Sequence, residues 1–191
     1  IPNRVGVSIG PTAERHHIGP LKRHPQAHEG WNVIAGNTAA GIKISGTDVK
    51  NNTIRYNVIG KESDLLLDQG NHNGISLESG TWGVTENYII DNFIGGNING
   101  IFLSGKGVYK NTIHGNAIGT DRLMEENLGN ERYGILIDNG TTELNRTMIS
   151  QNLIFHNGEI GVFLKNSSRN RISNNVFAHN PRGLHEIHCV N

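Results

Sequence analysis

The chain has 191 residues, with 17 Lys plus Arg against 17 Asp plus Glu, and so no formal net charge. That length allows one domain or a short repeat array with a buried core. The charge balance excludes a general nucleic-acid binder, which carries a basic excess, and no apolar run approaches the roughly 18 residues of a membrane span. Asn occurs 26 times and Gly 25 times, and Ile outnumbers Leu by 23 to 13. Asn and Gly punctuate turns and Ile favours pleated surfaces, so a mostly helical protein is excluded. The single cysteine, Cys189, excludes an intramolecular disulfide and a four-Cys zinc site. The chain opens Ile1-Pro2-Asn3, without an initiator Met or a signal peptide, and reads as a processed protein or an excised fragment.

From the N-terminus, GVSI at Gly6 is the first strand-like run, followed by a segment from Gly10 to Gly30. Then come NVIAGN at Asn32 and GIKI at Gly41, and this pair recurs. NTIRYN at Asn52 is followed by GISL at Gly74, NYIIDN at Asn87 by GIFL at Gly100, and NTIHGN at Asn111 by GILI at Gly134. The degenerate TMISQN at Thr147 precedes GVFL at Gly161, and NRISNN at Asn170 precedes the blurred GLHE at Gly183. The first motif steps by 20, 35, 24, 36 and 23 residues. The short steps read as one coil and the long steps as a coil plus an insertion. Each coil holds three short runs of period-two alternation, too short to stand alone, so each must stack on its copy in the next coil. The pattern predicts an all-β parallel solenoid of about six to seven coils, about 4.8 Å apart, as a single domain over 1–191 or a segment of a longer solenoid.

The inward columns follow from the alternation. One is Ile34, Ile54, Ile89, Ile113, Ile149 and Ile172; a second is Ile59, Ile94, Ile118, Ile154 and Phe177. A third runs Val7, Ile42, Ile75, Ile101, Ile135, Val162 and Leu184, with Ile9, Ile44, Leu77, Leu103, Ile137 and Leu164 beside it. Between the first two lie Asn37, Asn57, Asn92, Asn116, Asn152 and Asn175, read as an asparagine ladder that tolerates a left-handed corner and bonds along the axis.

The stretches WNVIAGNTAAGIKI, NTIRYNVIG, NTIHGNAIGTD and GNERYGILI resemble the right-handed parallel β-helix repeat family of the pectate-lyase-like superfold, in its bacterial and archaeal secreted members. The resemblance covers about residues 5–187 and implies a right-handed β-helix, secreted or at the cell surface. The same repeat serves lyases, hydrolases, epimerases, adhesins and proteins without known activity, so fold alone does not give function. In polysaccharide-active members, loops at one corner and the adjoining sheet form the substrate groove. Here Gly10 to Gly30, Gly60 to Asn73 and Gly119 to Tyr133 read as three insertions at one such corner.

Alternation places Ser8, Lys43, Ser76, Phe102, Leu136, Phe163 and His185 in one outward column of that sheet, and Ser45, Glu78, Ser104, Asp138 and Lys165 in the next. Phe102, Leu136 and Phe163, with Lys43, are the candidate surface for carbohydrate or a partner; an outward apolar stripe needs a cover, a second copy or a ligand. Glu78 and Asp138, two coils and so about 9.6 Å apart, with Lys165 beyond, form the candidate catalytic set. Inverting glycosidases separate their carboxyls by about 6.5–9.5 Å. No tight Asp triplet of the polygalacturonase kind is present.

His16, His17, His24 and His28, and at the far end His185, His188 and Cys189, are the transition-metal candidates. Glu62, Asp64, Asp68, Asp121, Glu125 and Glu126 are candidate oxygen ligands for calcium, without a dense D-x-D-x-D spacing. Four sequons, at Asn51, Asn139, Asn145 and Asn166, fall in turns after G-I-x-I and are candidate glycosylation sites. Neither end shows an amphipathic capping helix, and Glu186 falls at an inward place, so the coil ends are expected to recruit further copies as a homo-oligomer or filament. The function expected is an extracellular β-helix that binds carbohydrate or builds an assembly; the alternative is a polysaccharide lyase, hydrolase or epimerase with a groove between the corner loops.

Overall fold

The computed structural model describes residues 2–22, 30–61, 70–80, 83–140 and 146–189. The chain winds through parallel sheets, each coil adding one strand to each. The long sheet holds seven strands in stacking order: Val5–Ile9, Ala40–Ser45, Asn73–Glu78, Asn99–Ser104, Tyr133–Asp138, Ile160–Lys165 and Arg182–Ile187. A first short sheet runs from His17–Ile18 through Thr53–Arg55, Tyr88–Ile90, Thr112–His114 and Met148–Ser150 to Arg171–Ser173. A second short sheet runs from Asn32–Ile34 through Asn57–Gly60, Phe93–Gly95, Ala117–Ile118 and Leu153–Phe155 to Val176–Ala178. Parallel strands joined by crossovers take the right-handed path. Among the described residues there is no helix, and so none long and apolar enough to cross a membrane.

The third inward column and its neighbour stand in register from coil to coil, Val7 on Ile42 on Ile75 on Ile101 on Ile135 on Val162 on Leu184. From Ile42 to Val162 these side chains are fully buried, while Leu184 in the last described coil is 45% exposed. Glu186 pairs with Leu164 at an inward place and is exposed. Sequence reading misses a third short ribbon, Val49–Lys50, Val84–Thr85 and Val108–Tyr109, whose valines complete the core. Two-residue strands carry no alternation to detect.

Two sequence assignments need correction. Ile34 stacks on Ile59, in the second column, and Asn32, not Asn37, hydrogen-bonds Asn57. The place expected for Ile34 is taken by Ile18, which stacks on Ile54. The spacing N-x-I recurs every five residues, as in Asn87-x-Ile89, Asn92-x-Ile94 and Asn97, so one isolated copy aligns equally well with either of two corners; hydrogen bonding to the next coil decides between them. The segment from Gly10 to Gly30 is therefore no simple insertion. It carries the first coil's turn, with Glu14 bridging to Lys50, and the His17–Ile18 strand. The segments after Gly60 and Gly119 do join the second short sheet to the long sheet.

Three asparagine ladders run along the axis where one was expected. They are Asn32–Asn57–Asn92–Asn116–Asn152–Asn175, Asn37–Asn71–Asn97–Asn130–Asn157–Asn180, and Asn52–Asn87–Asn111, the last resuming at Thr147–Asn170. In the repeating unit the side-chain Oδ1 of one Asn accepts from both the backbone N–H and the side-chain amide of the Asn one coil earlier, as Asn92 does for Asn57 at 3.1 and 3.0 Å. The ladder residues are not themselves left-handed. At many corners the residue before them is: Tyr56, Glu86, Asp91, Lys110 and Gln151 have φ between 54° and 55°. A left-handed non-glycine costs about 1–2 kcal/mol, offset here by the amide bonds the corner makes possible.

The motif glycines of G-I-x-I have a different cause. A Cβ on Gly41, Gly74, Gly100, Gly134 or Gly161 would come within 2.5–2.7 Å of the carbonyl oxygen of the stacked glycine in the following coil. Close approach, rather than a special dihedral, demands them.

Candidate functional site

The long sheet's outer face is built by the two outward columns expected from alternation. Lys43, Ser76, Phe102, Leu136, Phe163 and His185 are successive register partners, as are Ser45, Glu78, Ser104, Asp138 and Lys165. Phe102, Leu136 and Phe163 are each half-buried. Sequence reasoning missed Tyr133, whose ring lies 5.5 Å from that of Phe163, which in turn lies 5.4 Å from His185. Strict alternation breaks at the close-packed Gly134, and that glycine was the available signal.

Each candidate carboxylate has a lysine of its own. Lys43 Nζ donates to Glu78 Oε2 at 2.5 Å and Ser76 Oγ donates to Glu78 Oε1 at 2.6 Å. Lys165 Nζ donates to Asp138 Oδ2 at 2.8 Å, and Asn166 Nδ2 to Asp138 Oδ1 at 3.1 Å. Ser104 stands between the two carboxylates, placing them two strands apart. Burial pushes the Glu78 carboxyl up, but the hydrogen bonds from Lys43 and Ser76 outweigh it and the net shift is downward. The hydrogen bond to Asp138 raises Lys165. Both directions favour the charged forms: an acceptor carboxylate and a fixed cation, not a proton-donating acid with a free amine base.

A Lys43→Met variant loses the stronger of the two bonds that lower Glu78. Its Glu78 side-chain carbon should titrate at higher pH than in the wild type, read by carbon NMR; an unchanged titration would show that the pair does not persist in solution. Because Glu78 titrates lower folded than unfolded, its stabilising contribution is present above the ordinary glutamate value and is lost as pH falls through the lowered one.

Two depressions open on this face. One, of about 600 Å³, is lined by Ser45, Gly46, Glu78, Phe102 and Ser104. The other, of about 500 Å³, is lined by Arg4, Lys43, Ser45, His72, Asn73 and Glu78. Ser45 and Glu78 line both, so the two adjoin, and Phe102 of the apolar stripe borders the first.

The loops cover a different face. Trp31 packs on Tyr56 and Phe93 with ring centroids 5.4 and 5.2 Å apart. The Arg55 guanidinium lies 4.3 Å from the Tyr56 ring and that of Arg122 5.5 Å from Phe93, with Asp91 pairing with both arginines. Arg122 of the third segment and Trp31, which follows the first segment, thus lie against the second short sheet, not against Phe102 and Phe163.

The remaining candidates are dispersed. Asp121 closes its own turn, accepting from the N–H groups of Leu123, Glu125 and Glu126; Glu62, Asp64 and Asp68 lie outside the described residues, as do His24, His28 and Asn145. Cys189 packs against the core, its sulfur 3.5 Å from the Leu164 and Ile187 carbonyl oxygens. Asn139 is fully buried and its Nδ2 donates to the Val108 carbonyl, so a glycan on that nitrogen does not fit this fold. Asn51 and Asn166 are partly exposed turn residues with φ of 57° and 47°.

The sequence profile of the family described as "Periplasmic copper-binding protein (NosD)" matches residues 63–185. Neither a search of curated proteins nor a search of solved structures found a match. Copper accepts imidazole nitrogens readily. Among the described residues no group of three or more His, Cys, Asp and Glu is placed to hold an ion, so a closed copper centre does not fit them. A pair of imidazoles does come together: His156 and His179 stack with centroids 4.7 Å apart and planes 5° from parallel. Burial, and then the neighbouring His179, hold His156 below the ordinary histidine value. The match and the all-parallel sheets agree with the parallel β-helix that the repeats predict, the periplasmic setting of the family agrees with the secretion that the resemblance implies, and the chain belongs to the NosD family of periplasmic β-helix proteins.

Proposed function

We propose that this exported β-helix binds a polysaccharide strand along the outer face of its long sheet. The observation that carries the reading is the pair of adjoining depressions past Lys43, Glu78 and Ser104, bordered by Phe102, on the face that also carries the half-buried Leu136 and Phe163 and the buried Tyr133. Aromatic faces accept the apolar side of a sugar ring, and a few fixed polar groups set its orientation. Lys43 with Glu78 and Lys165 with Asp138 cancel in charge, Arg4 adds one cation to the lining, and the paired carboxylates accept hydrogen bonds from sugar hydroxyls. In this reading Glu78, Asp138 and Lys165 bind rather than catalyse.

The test is a glycan array followed by calorimetry with Phe102→Ser combined with Phe163→Ser. Binding by the wild type, lost in the double variant with its β circular-dichroism signal intact, is the expected result. If the wild type binds no glycan, the reading fails. Light scattering on the same samples reports whether the stripe instead joins copies of the chain. Turnover of an acidic polysaccharide that disappears in Asp138→Asn would favour the enzyme alternative.

A second reading is copper binding, which the family's description gives for the family. The stacked imidazoles of His156 and His179 favour it here.

A further inference from the structure

The two depressions on the outer face of the long sheet differ in chemistry, and the difference runs along the solenoid axis. Arg4 leads into the first strand, Lys43 stands on the second, Glu78 on the third and Phe102 on the fourth. The depression of about 500 Å³ has Arg4, Lys43, Asn73 and Glu78 in its lining. That of about 600 Å³ has Glu78 and Phe102, with Ser45 and Ser104 beside them. Two cations therefore accompany one carboxylate in the first, while Glu78 is the one charged residue that lines the second among the described residues.

That carboxylate is already engaged. Lys43 Nζ and Ser76 Oγ hold its two oxygens, so Lys43 and Glu78 cancel and the positive charge of Arg4 is left over. Arg4 is exposed, and no carboxylate pairs with it among the described residues. Its charge does act on Glu78, after burial and after the bonds from Lys43 and Ser76, so the guanidinium and the carboxylate share one environment. A second donor lies in the same lining. Asn73 is 9% exposed, and its Oδ1 accepts from Asn99 Nδ2 at 2.9 Å. Its own Nδ2 meets no acceptor among the described residues.

We propose that the depression lined by Arg4, Lys43 and Asn73 is a subsite for the carboxylate of an acidic sugar, and that an uncharged ring face of the same strand lies against Phe102. A guanidinium offers a carboxylate two parallel N–H groups, a geometry that an ammonium lacks. Because Lys43 and Ser76 already hold Glu78, an incoming anion meets a neutral pair there and not a bare negative charge. From Lys43 through Ser76 to Phe102 is two coils, about 9.6 Å, which a short oligosaccharide spans. Over Phe102 the ligand presents an apolar ring face, with hydroxyls for Glu78 and Ser104. The strand is thus read with a direction, its acid group toward the first coil and its plain ring toward the fourth.

The inference rests on the polysaccharide reading and names the class of sugar. The test is calorimetry with oligogalacturonide, oligoglucuronide and oligomannuronide, each as the free acid and as its methyl ester, which keeps the ring and removes the charge. The expected result is a free acid bound about 10-fold more tightly than its ester. Arg4→Gln should bring the acid down to the level of the ester and leave the ester unchanged. Salt at about 0.5 M should do the same by screening an exposed guanidinium. Phe102→Ser should weaken acid and ester alike, since it removes the ring contact and no charge. Arg171→Gln, which removes an exposed cation from the first short sheet, should change neither. Acid and ester bound equally, neutral glycans bound and no uronide, a preference that survives Arg4→Gln, or an equal loss in Arg171→Gln would each overturn the subsite and leave the polysaccharide reading standing. No glycan bound by the wild type would overturn both.

Discussion

An Asn92→Ala variant should unfold more easily than the wild type by about 3 kcal/mol. Asn92 sits in the middle of its ladder with no exposed surface. Its Nδ2 reaches Asn116 Oδ1, the Ile54 carbonyl of the preceding coil and the Ile90 carbonyl two residues back, at 3.0, 2.9 and 3.0 Å. Its Oδ1 accepts from Asn57 twice. Alanine removes the acceptor of a buried N–H and of a buried amide, and water cannot reach them between stacked coils, so the groups left behind bear their full desolvation cost. Asn175, half-buried in the last coil and donating to the Ile149 carbonyl, should cost less, about 1 kcal/mol. Urea denaturation of the two variants gives the comparison. Equal effects at the two positions would mean that the central ladder is no drier than its end.

Gly100→Ala should destabilise the protein by about 2–3 kcal/mol, although it adds only a methyl group. The new Cβ would stand 2.5 Å from the Gly134 carbonyl oxygen, 3.0 Å from Asn130 Nδ2 and 3.3 Å from the Ile118 side chain. The first of these is backbone inside a sheet and cannot turn aside, so two coils must move apart. The same substitution at Gly183 supplies the control. It is the matching glycine of the last described strand, where the nearest atoms to a new Cβ are 3.5 Å away, on Phe177. Gly183→Ala should lie within about 0.5 kcal/mol of the wild type. Thermal melts of both variants decide it, and a large loss at Gly183 would show that something packs over that strand in solution.

Why was so much of the coil readable? Each strand's inward places must match those above and below, so the solenoid writes its cross-section into the sequence several times over. Ile42, Ile75, Ile101 and Ile135 reveal one column because the same steric requirement is repeated at each, and Lys43, Ser76, Phe102 and Leu136 then follow on the opposite side of the pleat. The unrepeated parts were the hard ones. Ile18 has no motif around it, and its place in the first short sheet depends on pairing with Ile54. Trp31 shows no period, yet it is the centre of an aromatic cluster with Tyr56 and Phe93. The candidate site divides in the same way. The column order of Glu78, Asp138 and Lys165 was legible, whereas the pairing of Lys43 with Glu78 was not, because side-chain reach and rotamer choice leave no trace in periodicity.

By itself the sequence determined a parallel solenoid, its inward columns, the outward stripe of Phe102, Leu136 and Phe163, and the presence of stacked asparagines. Repetition does this, since every coil faces the same neighbours. Tertiary structure alone decided that three ladders exist rather than one, that Asn32 and not Asn37 continues the ladder of Asn57, and that the left-handed residue at corners such as those of Asn57, Asn92 and Asn152 is the one before the ladder Asn. It alone brought His156 and His179, 23 residues apart, to a ring distance of 4.7 Å. The physical reason is common to all of these. They depend on which coil a residue meets across a gap of about 4.8 Å, and hydrogen-bond geometry between coils, not the order of residues along one coil, makes that choice.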